Sequence, residues 1–310
     1  MKKLIFLLCC SLFYVMTCFS QENGKFVSLF NGKDLKNWTL EKPDGFEVDH
    51  GEMLTKSFGK GHDIYTNKKY GNFIFRFEFK LSKVGNSGIF LRCETFNQGA
   101  GYEVQLLAPW TPWRDDIHCT GSIYGYVAPQ HRPDETTGIW YKTEIKCDRN
   151  VITISINDKV TTVANIDTVK GLMNKPLVGV IGIQANHAND KGQDARFRNV
   201  YIRDLDAEPD YVIKGFYEKS DKYRTQAEAA AANLGAKMVK PLSGVMAGND
   251  IAAKSSAKQA LFDLVAKATA PQASKKDKKE IASALKSSIK STSEEVTKNY
   301  LRWLLGMAEK

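Results

Sequence analysis

A β-sandwich followed by a small helical module is the fold class this sequence predicts, and three observations carry it. FIFRFEFKL alternates, with Phe73, Phe75, Phe77 and Phe79 on one face and Arg76, Glu78 and Lys80 on the other, the pattern of a strand that turns one face to a core. Many short strand-like runs separated by turn signals surround it, from Phe26 to Leu205, as a sandwich requires. After Asp206 the alternation stops and alanine and lysine rise. Leu261, Leu264 and Val265, and again Ile281, Leu285 and Ile289, then recur at helical spacing.

Taken in order, the chain opens MKKLIFLLCCSLFYVMTCFSQE. Lys2 and Lys3 precede an apolar run, and Cys18 and Ser20 stand at −3 and −1 of a cut before Gln21. This reads as a secretory signal over residues 1–20, giving an exported protein, periplasmic or extracellular. The competing readings are an uncleaved anchor helix and, from VMTC, a lipoprotein box, in which Thr17 is a poor residue before the cysteine. No later stretch is long and apolar enough to cross a bilayer.

Residues 21–206 form the predicted sandwich domain, and ~180 residues suffice for one double-layered core. WYKTEIKCD, VITISIND and KVTTVAN follow the phenylalanine strand, with NDK as a tight turn. PLVGVIGIQAN reads as a more continuously apolar strand, and DARFRNVYIRDL ends the domain. Residues 207–310 read as helices over TQAEAAAANLGA, NDIAAKSSAKQALFDLVAKATA, KKDKKEIASALKSSIKS and SEEVTKNYLRWLLGMAEK, packed as a HEAT-like solenoid or a bundle. Asn249 is placed to cap one helix, and Ser274 with Asp277 and Thr292 with Glu295 resemble capping boxes. Pro271 separates two helices. Alanine- and lysine-rich helices pack and solvate, so an accessory or partner-docking role is expected of this module.

The formal charge of +9 lies mostly outside the sandwich. Residues 21–206 carry 24 Lys and Arg against 23 Asp and Glu, whereas 207–310 carry 18 against 12. The tail lysines are scattered rather than interleaved with aromatics, so nothing here argues for nucleic acid. Once a signal is removed, Cys93, Cys119 and Cys147 remain. Three cysteines allow at most one internal disulfide. No C-x-x-C pair suggests zinc, and Cys93 and Cys147 fit small buried strand residues.

The chemistry concentrates between Gly85 and Pro129. GIFLR and GYEVQLL read as two strands, so alternation sets Arg92, Glu103 and Gln105 in one polar row. A carboxylate in the middle of an apolar strand must face solvent or a cleft. Glu103 is therefore the first candidate for a catalytic group, or else a partner for Arg92. Gln105 could bind a hydroxyl, and Arg92 could clamp a substrate oxygen or merely neutralise Glu103. The following loop holds Trp110, Trp113, Asp115, Asp116 and His118, and then the strand-like SIYGYV with Tyr124. His118 is a candidate acid/base or metal ligand, or a turn histidine. Trp110 and Trp113 either stack on a sugar or pin the loop. Aromatic rings beside fixed polar groups suit a carbohydrate site. His62 and His131 receive no role.

NGKDLKNW, GNSGIFLR, GYEVQLL, TGSIYGYVAP and RFRNVYI resemble the secreted bacterial 3-keto-disaccharide hydrolase family, over roughly Phe26 to Leu205. The resemblance implies a concanavalin-like jelly roll and cleavage of a glycoside already oxidised at C3. It also implies a binding role for Gln184 and for His187, since family members often carry a histidine close behind this glutamine. A C3 ketone acidifies the C2 hydrogen, so one base can remove it and the glycosidic oxygen leaves C1. Water addition to the enone then gives net hydrolysis. Such a site needs a base (Glu103 or His118) and something to hold the enolate oxygen (Arg92, His187 or a divalent metal). The E-x-D-x-x-E strand motif of laminarinase-type enzymes is absent, which disfavours an ordinary two-carboxylate glycosidase. The alternative from another class is a lectin-like module that binds glycan without turnover.

Overall fold

The computed structural model describes residues 26–56, 62–112, 114–185 and 194–309. Among these, thirteen strands form two antiparallel sheets. One sheet runs β11 (Lys159–Asn165), β10 (Val151–Ile156), β9 (Tyr141–Asp148), β6 (Phe73–Leu81), β13 (Ala195–Asp204), β4 (Glu52–Thr55) and β3 (Phe46–Asp49), with β1 (Val27–Ser28) paired to β13. The other runs β2 (Trp38–Leu40), β5 (Ile64–Thr66), β12 (Val180–Ile183), β7 (Asn86–Cys93) and β8 (Tyr102–Leu107). The sheets face each other as a concanavalin-like jelly roll. The alternation in β6 is realised directly: Phe73, Phe75, Phe77 and Phe79 are fully buried. They meet Ile89, Leu91, Tyr102, Val104, Ile181 and Ile183 of the five-stranded sheet in one core cluster. Each such buried side chain contributes about 1.5–3 kcal/mol. The two-residue turn between β10 and β11 holds Asn157 and Asp158, both at positive φ (50° and 62°), the conformation a tight hairpin demands.

SIYGYV departs from its strand-like reading. Ile123 bridges Val104 and Val127, while the residues between them turn through Gly125 at φ 75°. The segment therefore folds as a tight turn over the edge of β8, and this carries Tyr124 to the sheet face beside Glu103. The cysteines Cys93, Cys119 and Cys147 are all buried and unpaired.

Beyond Asp204 the described chain is helical, with α1 (Pro209–Gly215), α2 (Asp221–Leu234), α3 (Val239–Met246), α4 (Ile251–Thr269), α5 (Lys275–Ser291) and α6 (Glu295–Glu309) around a second core. Ser274 caps α5 as its sequence suggests, accepting from the Asp277 N–H at 3.0 Å. Two other caps fall one or two residues from their expected place. Asp250, not Asn249, accepts from the Ala253 N–H at 2.9 Å. Glu294, not Thr292, accepts from the Thr297 N–H at 2.7 Å. A carboxylate is also the better partner for the positive end of a helix dipole. Among the described residues no helix is long and apolar enough to cross a membrane.

The helices dock onto the sandwich through polar contacts. Tyr211 O–H donates to Asp148 at 2.6 Å, Tyr223 O–H to Asp167 at 2.5 Å, and Gln226 Nε2 to Leu177 O at 3.3 Å. Arg149 pairs with Glu218 at 2.8 Å. Beneath them Asn72 donates to Asp206 from both backbone and side chain, each at 2.8 Å.

Candidate functional site

The outer face of the five-stranded sheet is where the candidate residues converge. With Ile181 and Ile183 in the core, Gly182 and Gln184 point outward; with Ile89 inward, Gly88 and Phe90 point outward; with Val104 inward, so do Glu103 and Gln105. Register then sets two rows across the sheet. Tyr65, Gly182, Phe90 and Glu103 lie in one, since Gly182 pairs with both Tyr65 and Phe90, and Phe90 pairs with Glu103. The second contains Gly88 opposite Gln105 and Gln184, whose N–H donates to Gly88 O at 2.9 Å. The missing side chain at Gly88 is structurally necessary. A Cβ there would lie 2.6 Å from Glu103 Oε1, so Glu103 folds diagonally across the glycine. In that position it accepts from Gln184 Nε2 at 3.0 Å.

Burial pushes the Glu103 carboxyl up to about 7; the negative charge of Asp63 adds to the rise and the Gln184 hydrogen bond opposes it. A carboxylate held near neutrality is a competent proton acceptor at physiological pH. Asp63 behaves alike: burial, with a further contribution from Glu41, raises it to about 7, against the Ala185 N–H and Tyr65 hydroxyl. Sequence reasoning passed over Asp63, because an aspartate just before a short strand reads as a solvated turn residue. Only the pairing of β5 with β12 brings it to the site.

Tyr124 and His118 complete the cluster. The Tyr124 N–H donates to Glu103 O at 2.9 Å. Burial raises the Tyr124 phenol, and the charge of Glu103 raises it further. The His118 ring stands edge-on to Tyr124 with centroids 4.6 Å apart. His118 Nδ1 and Asp115 Oδ1 are 2.7 Å apart; with Nδ1–H donating to the carboxylate, Nε2 is left as the working nitrogen. Gln105 is buried and donates to Asn86 Oδ1 at 2.9 Å.

Other candidates lie elsewhere. The expected row of Arg92, Glu103 and Gln105 does not form, because Arg92 adopts φ 53° and the pairing of β7 with β12 shifts register there. This bulge reverses the alternation, as bulges do. Cys93 then joins Phe90 and Tyr65 on the outer face, and Arg92 turns inward, fully buried. Its guanidinium donates to Gly71 O at 2.7 Å, Arg149 O at 2.9 Å and Asn72 Oδ1 at 3.4 Å. Arg92 therefore holds the seam under the helices rather than a substrate. Asp116 is exposed and pairs with Arg132 at 3.3 Å. Trp110 is half exposed, with its indole N–H donating to Lys83 O, the loop-pinning arrangement. Trp113 and His187 lie outside the described residues, as does the segment 1–20. Among the described residues no three His, Cys, Asp or Glu side chains converge as a metal site.

The family model for the 3-keto-alpha-glucoside-1,2-lyase-like domain matches residues 25–203. Two solved structures from Parabacteroides distasonis ATCC 8503, both described as glycosyl hydrolases, are similar in fold. One is 21% identical with a TM-score of 0.51, over 58% of this chain and 94% of its own. The other is 22% identical with a TM-score of 0.51, over 58% of this chain and 98% of its own. No curated protein matches the chain.

Proposed function

Since the chain belongs to the 3-keto-alpha-glucoside-1,2-lyase-like domain family through residues 25–203, we propose that it cleaves 3-keto-glycosides, including 3-keto-disaccharides, by elimination followed by hydration. The observation that carries the reading is Glu103: a carboxylate on the outer sheet face, raised to about 7, with Tyr124 and His118 gathered beside it. Ionised Glu103 takes the proton from C2. The C2–H electron pair moves to the C3 carbonyl, giving an enolate. The enolate collapses, and the C1–O bond breaks with its electrons on the departing oxygen. His118, oriented by Asp115, gives that oxygen a proton from Nε2. Water then adds across the enone at C1, and C2 takes a proton, for a net hydrolysis. The Tyr124 hydroxyl is the neutral donor suited to the enolate oxygen.

The helical part contributes no group to this scheme, and export before Gln21 belongs to the same proposal. Helices could serve a protein partner, and the substrate is a carbohydrate. Glu103→Gln keeps the shape of the side chain and removes its basicity. Turnover of a 3-keto-glycoside should fall by about 10²–10⁴-fold, with substrate binding little changed. An unoxidised glucoside should be inert. Saturable glycan binding by the wild type with no turnover of any 3-keto-glycoside would instead favour a lectin-like module.

A further inference from the structure

The Gln184 amide binds one carboxyl group, and strand register sets a second beside its backbone. Nε2 donates to Glu103 at 3.0 Å. The second carboxyl is that of Asp63. Gly182 pairs with Tyr65 and Ile183 with Ile64, so the next pair along the same ladder is Gln184 and Asp63. Residues directly opposite in antiparallel strands have Cβ atoms about 4.5–5.5 Å apart. Asp63 is 2% exposed; one oxygen accepts the Ala185 N–H at 2.8 Å, and the other faces the Tyr65 hydroxyl at 3.4 Å. Gln184 is 3% exposed, and its Oε1 is buried without a donor among the described residues.

An amide has one donating end and one accepting end. With its N–H on Glu103, its buried oxygen is left without a donor among the described residues, and its ladder neighbour Asp63 is the group placed to supply one. An ionised Asp63 would set an anion against that oxygen, whereas a carboxylic acid supplies the missing donor. Among the described residues, the charges that raise these carboxyls are themselves acidic: Glu41 acts on Asp63 and Asp63 on Glu103, with the neutral acids Tyr65 and Cys93 beside Asp63, while His62, next in the chain, meets Asp44 instead. Burial raises both carboxyls to about 7, with a like charge adding to each rise, and two interacting carboxyls titrate as a pair.

We propose that Asp63 is the member of this pair that holds a proton near neutral pH, donating it as a hydrogen bond to Gln184 Oε1 and so fixing the amide N–H on Glu103, which ionises and serves as the base. This rests on Glu103 being the base. Asp63 is then a positioning residue: it acts through Gln184, and the transferred proton never passes through it.

Asp63→Asn is the informative change, because an asparagine oxygen can accept from Ala185 while its NH₂ donates to Gln184. On a 3-keto-glycoside at pH 7 it should keep kcat/KM within about threefold of the wild type, whereas Asp63→Ala should lose about tenfold or more. Infrared spectroscopy of the full chain gives a second reading that needs no variant. Near neutral pH a protonated-carboxyl band should shift when aspartate is carbon-13 labelled at its carboxyl. The band should vanish in Asp63→Asn and persist in Glu103→Gln. A drop of 10²–10⁴-fold in Asp63→Asn, or a band that follows Glu103 instead, would overturn the assignment while leaving a carboxylate-base mechanism intact. Full activity in Glu103→Gln would overturn the base assignment, and this inference with it.

Discussion

Gly88 matters to the site through the side chain it lacks. Glu103 lies across it, and a Cβ would sit 2.6 Å from the carboxyl oxygen and 3.2 Å from Cγ. Gly88→Ala should push Glu103 off Gln184 and lower kcat/KM on a 3-keto-glycoside by about tenfold or more, as small misplacements of reacting groups do. Steady-state kinetics beside a melting curve checks it, and an unchanged kcat/KM would mean that Glu103 works in another pose. Glu103 also bears on stability. Its folded value, raised to about 7, means that the native state holds a proton the unfolded chain has released between about pH 4.5 and 7. Stability therefore falls as pH rises through that window. Glu103→Gln should lose less stability than the wild type between pH 5 and pH 8, by on the order of 1–3 kcal/mol, measured by denaturant titration at both values. At this scale the sequence was partly legible. Glu103 stands out because strand alternation isolates a carboxylate among apolar residues. Asp63 and Gly88 do not, because each acquires its meaning only from a strand distant in sequence.

At the scale of elements, alternation identified β6, β9 and β10, and helical spacing identified α4 and α5. The turn taken by SIYGYV escaped, and so did one strand irregularity. The bulge at Arg92 turns an outward residue inward, and local sequence does not announce it. Its consequence is structural, since Arg92 satisfies Gly71 O, Arg149 O and Asn72 Oδ1 in a buried seam. Arg92→Met should destabilise the protein by about 2–5 kcal/mol, because it leaves buried oxygens without their donor, at about 1–3 kcal/mol each. The protein that still folds should keep most of its turnover per folded molecule. A stable variant with abolished turnover would return Arg92 to the substrate. Caps were legible as a residue type but misplaced by one or two positions, because neighbouring Asn, Asp, Thr and Glu compete for the same few N–H groups.

For the whole molecule, the division into sandwich and helices follows from the change of periodicity after Asp206. The seam between them does not, because Tyr211, Tyr223 and Gln226 look like ordinary helix residues until they meet Asp148, Asp167 and Leu177. These docking bonds run to the end of β9 and the loop before β12, not to the sheet face that carries Glu103. A chain cut to residues 21–206 keeps Asp206 on Asn72, and should fold with reduced stability and still turn over a small 3-keto-glycoside. A folded but inactive product would mean that the helices complete the site. Cleavage by elimination requires proton removal from C2, and the fate of that hydrogen distinguishes it from displacement at C1. A 3-keto-glycoside deuterated at C2 is turned over in ordinary water, and the sugar product is analysed by mass spectrometry, with the deuterated product incubated alone to measure spontaneous exchange. Elimination and hydration predict loss of the label once per turnover, faster than the product loses it alone. Retention of deuterium at C2 with no slowing of turnover relative to the undeuterated substrate would instead point to displacement at C1 without an enolate.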